Sequence, residues 1–498
     1  MTVASATSPA WARTAMVATS NRLAVEAALW ALSEGGSAVD AAVAADAVLG
    51  VVQPHSTGIG GDAFALVAEP GTTTADELVV GFNGSGPAPA TLTLERCVAP
   101  DAWHERSPLT VTVPGVVDAW EQLVARYGRL DLATTLRPAV DLAEHGFPIG
   151  RISAMEWSSG AEHLSPGHGL PERPVPGERI TNPALAESLR AIGRGGRDAH
   201  ATGAWAQSAV DAVQRAGGCL TIDDLAAHQG EWVAPIEGAY RDHEVLQLPP
   251  NGQGGAVLAA LARLDAVPAG RPDDPADVVA VARATRAGME DAHAHVADPR
   301  VTTVPRFWAT DLRTSLGRDT VYTAAVADGM AVSLITSVYV GFGSGIHAGG
   351  AALQNRGHGF SLDAAHPNVV AGGKRPFHTI IPGMVRRDGR VQLVYGLVGG
   401  PMQPQGHVQV LRHLIDHGLD PQAALDRPRT FWPLGEILGI EPGFADDAAV
   451  RQAATDDGWH VVDIDQRWFG AGQVIRIHPD GWLEGGSDPR HDGTAVGI

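Results

Sequence analysis

Cysteine is nearly absent. Cys97 and Cys219 are the only two in 498 residues. So few argue against a disulfide framework, and no Cys-x-x-Cys zinc pattern can be written. Both are expected to be inert small residues. Basic side chains are also scarce, 36 Lys and Arg against 56 Asp and Glu, for a formal charge of -20. Partners that need basic patches, nucleic acids and anionic membranes, are therefore excluded. No apolar run approaches the length of a membrane span, and Met1 to Ala18 lacks an apolar stretch behind a basic start, so a cytoplasmic location is the default expectation. Familiar site motifs are missing too. There is no Gly-x-Ser-x-Gly elbow. Gly58-x-Gly60-Gly61 has no glycine three positions after Gly60, which removes the dinucleotide fingerprint. Asn251-Gly252-Gln253-Gly254-Gly255 lacks the Lys-Ser/Thr ending of a phosphate loop and is expected to be a surface turn. His293-Ala294-His295 falls on a predicted helix, where alternate residues face different ways, so no metal site is expected there. No internal repeat is found.

What is present suits a compact, loop-rich α/β protein: 44% hydrophobic residues, 60 Gly and 34 Pro. Leu23 to Ser33 predicts a helix stopped by Gly35-Gly36. Ser37-x-x-Asp40 predicts a capping-box start to a second helix running to about Val51. Val116 to Tyr127, Leu132 to His145, Ala184 to Ile192 and Trp205 to Ala216 also read as helices. Ala63 to Val67 and Leu78 to Phe82 read as strands, and Ser158 to Glu178 as a surface loop. Beyond residue 320 the chain returns to strands and glycine loops, with a helix near Gln405 to His417.

The sharpest local signal is a hairpin. Val321 to Ala327 and Met330 to Ser337 are β-compatible runs joined by Asp328-Gly329, the favoured two-residue turn. Pairing Ala327 with Met330 and counting outward sets Thr320 across from Ser337, with Cβ atoms roughly 4.5–5.5 Å apart. Two hydroxyls are thus expected to meet where the strands end. Glycine-rich polar loops follow: Gly341 to Gly345, Leu353 to Gly357, Gly372 to Thr379 and Gly399-Gly400-Pro401. Each lies beside an apolar strand-like run, an arrangement in which sites are often built.

Gly317-Arg318-Asp319-Thr320-Val321-Tyr322, Phe342-Gly343-Ser344-Gly345, Lys374-Arg375-Pro376, Gly399-Gly400 and Ser487-Asp488-Pro489-Arg490 resemble the γ-glutamyltransferase family of N-terminal-nucleophile hydrolases. Near the start, Gly35 to Ala44 and Gly58-Ile59-Gly60-Gly61-Asp62-Ala63-Phe64 resemble that family's opening helix and glycine loop. The resemblance implies a four-layer αββα sandwich. It also implies self-cleavage at Asp319-Thr320, giving residues 1–319 and 320–498 as two intertwined subunits of one heterodimer, with a dimer of these as a further option. Thr320 would be the nucleophile, its freed amine serving as the base that a weakly acidic hydroxyl needs. Ser337 would support it, and Gly399 and Gly400 would form the oxyanion loop. No cofactor or metal is implied, and the substrate would be a small-molecule amide.

Recognition residues depart from the glutathione-cleaving members. Those grip the glutamyl α-carboxylate and α-amine with an early Arg, then an Asn, a Gln and an Asp, then a Ser pair. The matching positions here are Asn83, Tyr339, Arg356, Gly359 and His378-Thr379. A carboxylate that would pair with the ammonium is missing, while Arg356 adds a cation suited to bidentate carboxylate binding. Cleavage of a γ-glutamyl-type amide through a Thr acyl-enzyme is the first expectation. An oxamate amidohydrolase or a glutaryl or cephalosporin acylase without α-amino recognition is the alternative. An unprocessed non-enzymatic scaffold is a third, because Val321 and Tyr322 replace the Thr and His common after the nucleophile.

Overall fold

A computed structural model describes residues 8–70, 77–306 and 319–498; Gly317 and Arg318 of the cleavage-site motif lie outside the described residues. Two seven-stranded, largely antiparallel sheets pack face to face. One has Asp319–Ala327 and Met330–Tyr339 at its centre, flanked by Ala15–Thr19 and Asp62–Ala68. The other centres on Gly383–Arg387, Arg390–Val398 and Ala471–Ile477.

Strand periodicity explains the layering. Along Asp319–Ala327, Tyr322, Ala324 and Val326 enter the core between the sheets with Met384, Val394 and Ile475. Val321, Ala325 and Ala327 face the other way, onto helices Arg22–Ser33, Ala38–Val52 and Leu132–His145. A third core joins the outer face of the second sheet to helices Gly254–Asp265, Pro275–His295 and Met402–Leu411. Successive side chains of a strand point to opposite faces, so strands buried on both sides read as unbroken apolar runs. The result is the αββα sandwich.

Local signals hold well at several ends. Ser37 and Asp40 form the capping box of Ala38–Val52, and Val116–Tyr127 and Leu132–His145 have the expected bounds. Asp328 and Gly329 take positive φ values of 52° and 77°, the primed turn that a right-twisted hairpin requires. Elsewhere packing extends or shortens elements. The expected loop from Ser158 opens inside helix Arg151–Gly160 and a following single turn, Ala161–His163. Helix Pro183–Ala201 outlasts its expected end, with a break at Gly196. The helix expected near Gln405 begins earlier, at Met402. The apolar run beside the Gly372 to Thr379 loop becomes a strand only at Gly383.

One expectation fails outright. Asn251 and Gln253 are wholly buried, so Asn251 to Gly255 is not a surface turn. Asn251 Nδ2 donates to Ser85 Oγ at 3.0 Å and to Pro376 O at 2.6 Å, and Gln253 Nε2 donates to Thr379 O and Gly400 O at 2.6 and 2.9 Å. Polar loop composition misled here because these amides satisfy the backbone of two other loops, which only the tertiary fold brings near.

Candidate active site

Thr320 and Ser337 sit where the two central strands of the first sheet end. The hairpin register holds from Ala327↔Met330 out to Val321↔Thr336, then slips by one residue, pairing Asp319 with Tyr339. The irregularity falls on Thr320, and such bulges re-aim side chains at strand ends. The hydroxyls meet as expected, with Thr320 Oγ1 3.4 Å from Ser337 Oγ.

Ser337 Oγ is the hub. It accepts from Tyr339 N–H at 2.8 Å and from Arg356 Nη2 at 3.0 Å, and it donates to the carbonyl oxygen of Asp319. Arg356 is fully buried, lies 4.5 Å from the centre of the Tyr339 ring and donates through Nη1 to Thr379 Oγ1 at 2.7 Å. Among the described residues it forms no ion pair, and its Nε has no hydrogen-bond partner. Burial pushes its pKa down to about 10, against the pull of Asp62 and Tyr339.

Across the sandwich, strand Arg390–Val398 ends at Gly399, with φ 117°, and Gly400, with φ 58°. A Cβ on Gly399 would lie 3.1 Å from Gly470 Cα, so glycine is needed for both conformation and space. Among the described residues no backbone carbonyl accepts from either N–H, leaving two donors free at the strand end. The C-terminal motif supports this turn from behind. Asp488 pairs with Arg429 at 2.5 Å, and Arg429 Nη1 donates to Phe469 O and Gly470 O at 3.0 and 3.2 Å. Helix Met402–Leu411 follows, and its Gln403 Nε2 donates to Thr320 Oγ1 at 3.2 Å.

Thr320, Ser337, Tyr339, Arg356 and Thr379 are thus in one contact network, and Gln403 joins them to Gly399 and Gly400. His378 stands one layer behind. Its Nδ1 accepts from Ile380 N–H at 3.4 Å, leaving the proton on Nε2, which faces Asp62 Oδ2 at 3.1 Å. Burial, with Arg356 nearby, holds His378 well below its ordinary pKa and hence neutral. Asn83 is further back: its Nδ2 donates to Asn251 Oδ1 at 3.1 Å, and Asn251 O accepts from His378 N–H at 2.9 Å. Lys374 and Arg375 brace the loop, Lys374 Nζ donating to Val369 O at 3.0 Å and Arg375 N–H to Asp298 Oδ2 at 2.8 Å.

Sequence reasoning assigned no part to Gln403 or Asp62. Asp62 is wholly buried and accepts from Gln354 Nε2, Gly115 N–H and Gly86 N–H at 2.9, 3.1 and 3.2 Å. Burial nevertheless raises its pKa to about 7, opposed by Arg356 and these donors. A signal existed for each: Asp62 ends the Gly58-x-Gly60-Gly61 loop, and Gln403 lies three residues after Gly400.

The family model described as Gamma-glutamyltranspeptidase matches residues 24–316 and 309–498. The chain is 36% identical to the Glutathione hydrolase-like YwrD proenzyme of Bacillus subtilis, over 97% of this chain and 98% of that one. It is 34% identical to the Oxamate amidohydrolase proenzyme of Klebsiella pneumoniae, with the same coverage. Among solved structures, cephalosporin acylase from Bacillus halodurans superposes with a TM-score of 0.91 at 36% identity, covering 99% of this chain and 97% of that one.

Proposed function

The chain belongs to the gamma-glutamyltranspeptidase family of amide-hydrolysing and acyl-transferring enzymes, and on that premise we propose that it cleaves itself at Asp319-Thr320 and then hydrolyses amides whose acyl side carries a carboxylate without a neighbouring ammonium. Cleavage yields residues 1–319 and 320–498, held as one heterodimer by the shared sheets. Removal of the Asp319 carbonyl from Ser337 clears the end of the sandwich. Thr320, its amine now free, attacks the substrate carbonyl, Gly399 and Gly400 N–H groups stabilise the oxyanion, and water or an amine removes the acyl group.

Arg356 carries the choice of substrate. A guanidinium buried without an ion pair is costly unless an anion joins it, and this one touches the residue that supports the nucleophile. An incoming acyl carboxylate supplies that anion. At Gly359, where glutathione-cleaving members place the ammonium-binding Asp, an added Cβ would lie 2.6 Å from Phe377 O. There is no room for the carboxylate that a γ-glutamyl group needs. Of the two acyl classes left open by the sequence, this geometry favours oxamate- or glutaryl-type amides. The oxamate-cleaving and cephalosporin-acylase relatives are consistent with it.

Two measurements test the reading. Denaturing electrophoresis of purified protein is expected to give two fragments, and Thr320→Ala a single full-length band without activity. A panel of oxamate, glutaryl, butyryl and γ-glutamyl amides is expected to show turnover concentrated on carboxylate-bearing acyl groups lacking an amine. Brisk γ-glutamyl cleavage with none of oxamate or the glutaryl amide overturns it.

A further inference from the structure

Resting on the self-cleavage reading above, we infer that Arg356 also sets the rate of maturation, by holding the Ser337 hydroxyl as proton donor to the carbonyl that breaks. A serine hydroxyl has one proton and two acceptor positions. Tyr339 N–H and Arg356 Nη2 donate into those positions at 2.8 and 3.0 Å, so the proton is left for the oxygen of Asp319. With its acceptor positions taken by these two shorter bonds, Ser337 is a poor base for Thr320, whose hydroxyl donates to it only at 3.4 Å. Ser337 therefore acts on the electrophile. Arg356, touching no reacting atom, is a positioning residue whose cation strengthens that donor in a water-poor environment.

In the reaction, Thr320 Oγ1 bonds to the Asp319 carbonyl carbon and the oxygen takes up negative charge against Ser337. The carbon–nitrogen bond to Thr320 then breaks. The proton lost by the hydroxyl ends on that nitrogen, which leaves as an amine, and an ester joins Asp319 to the Thr320 side chain. One water opens the ester, giving the Asp319 carboxylate and restoring the Thr320 hydroxyl. After maturation Asp319 no longer occupies Ser337, and the same cation faces substrate instead.

Full-length chain made in a cell-free translation, sampled over time on a denaturing gel, tests this directly. Arg356→Met is expected to slow cleavage by about tenfold or more, Arg356→Lys to recover part of the rate, and Ser337→Ala to slow it at least as much as Arg356→Met. Because Arg356 acts through Ser337, adding Arg356→Met to Ser337→Ala should cost nothing further, whereas a merely structural role would multiply the two losses. A multiplied loss, or Arg356→Met cleaving at the wild-type rate, overturns the inference. Should Arg356→Met fail to melt cooperatively, Arg356→Lys decides: cleavage at the full wild-type rate overturns it, a partial rate sustains it. A wild-type chain that stays intact removes the self-cleavage reading and this inference with it, whereas a wild type that cleaves beside an equally fast Arg356→Met removes only the inference.

Discussion

Gln403 Nε2 donates to Thr320 Oγ1 at 3.2 Å, while its own Oε1 accepts from Ile381 N–H at 3.0 Å. The second bond fixes the amide so that its NH2 group, which has no acceptor capacity, faces the threonine. Gln403 orients the hydroxyl and occupies a lone pair; it is not a base. Gln403→Leu is expected to lower kcat by about tenfold, on the order of the ~1.4 kcal/mol that one buried hydrogen bond supplies. Steady-state kinetics check this, and an unchanged kcat refutes the orienting role.

Gly399→Ala places a Cβ at φ 117°, 3.1 Å from both Gly470 Cα and Met402 Cβ. The turn must shift, moving two N–H donors away from where the proposed oxyanion would form. Loss of one such donor costs about 100-fold or more in kcat. The expected result is that loss with KM changed far less; retention of wild-type kcat would show that these amides are not the oxyanion donors.

Gly359→Asp restores on paper the carboxylate of glutathione-cleaving relatives. Its Cβ would sit 2.6 Å from Phe377 O, so the variant is expected to lose about 1–3 kcal/mol of stability without gaining γ-glutamyl cleavage. Denaturant unfolding and the γ-glutamyl assay measure the two effects. A stable variant that turns over γ-glutamyl amide contradicts the account of this pocket.

Asp62 gives a pH test. Its folded pKa of about 7 lies above the ordinary 3.8 because of burial, so the native state holds a proton that the unfolded chain has released. Stability contributed by that proton is complete below about pH 4 and is lost as pH rises toward 7. Relative to Asp62→Asn, which cannot titrate, the wild-type Tm is expected to fall across this window. Parallel Tm curves between pH 4 and 7 would exclude it.

Strand pairing and the neighbourhood of Thr320 were legible in the sequence because they are local. Asp328-Gly329 dictates a two-residue turn, the turn dictates register, and the register carries Thr320 to within one bulge of Ser337. Capping at Ser37 and Asp40 was legible for the same reason. Asn251 and Gln253 were not: a polar, glycine-rich stretch reads as a surface turn when its acceptors, Pro376 O, Thr379 O and Gly400 O, are more than a hundred residues away.

By itself, then, the sequence determined the elements, the family and the threonine proposed as nucleophile, since periodicity, turn chemistry and motif order act over short spans. Only the tertiary structure decided that Arg356 lies buried without an ion pair among the described residues, that Gly359 has no space for a side chain, and that Gln403 from the second sheet's side reaches Thr320. Those facts depend on which loops meet at the open end of two packed sheets. Such meetings are set by core packing over the whole chain, not by any stretch of it.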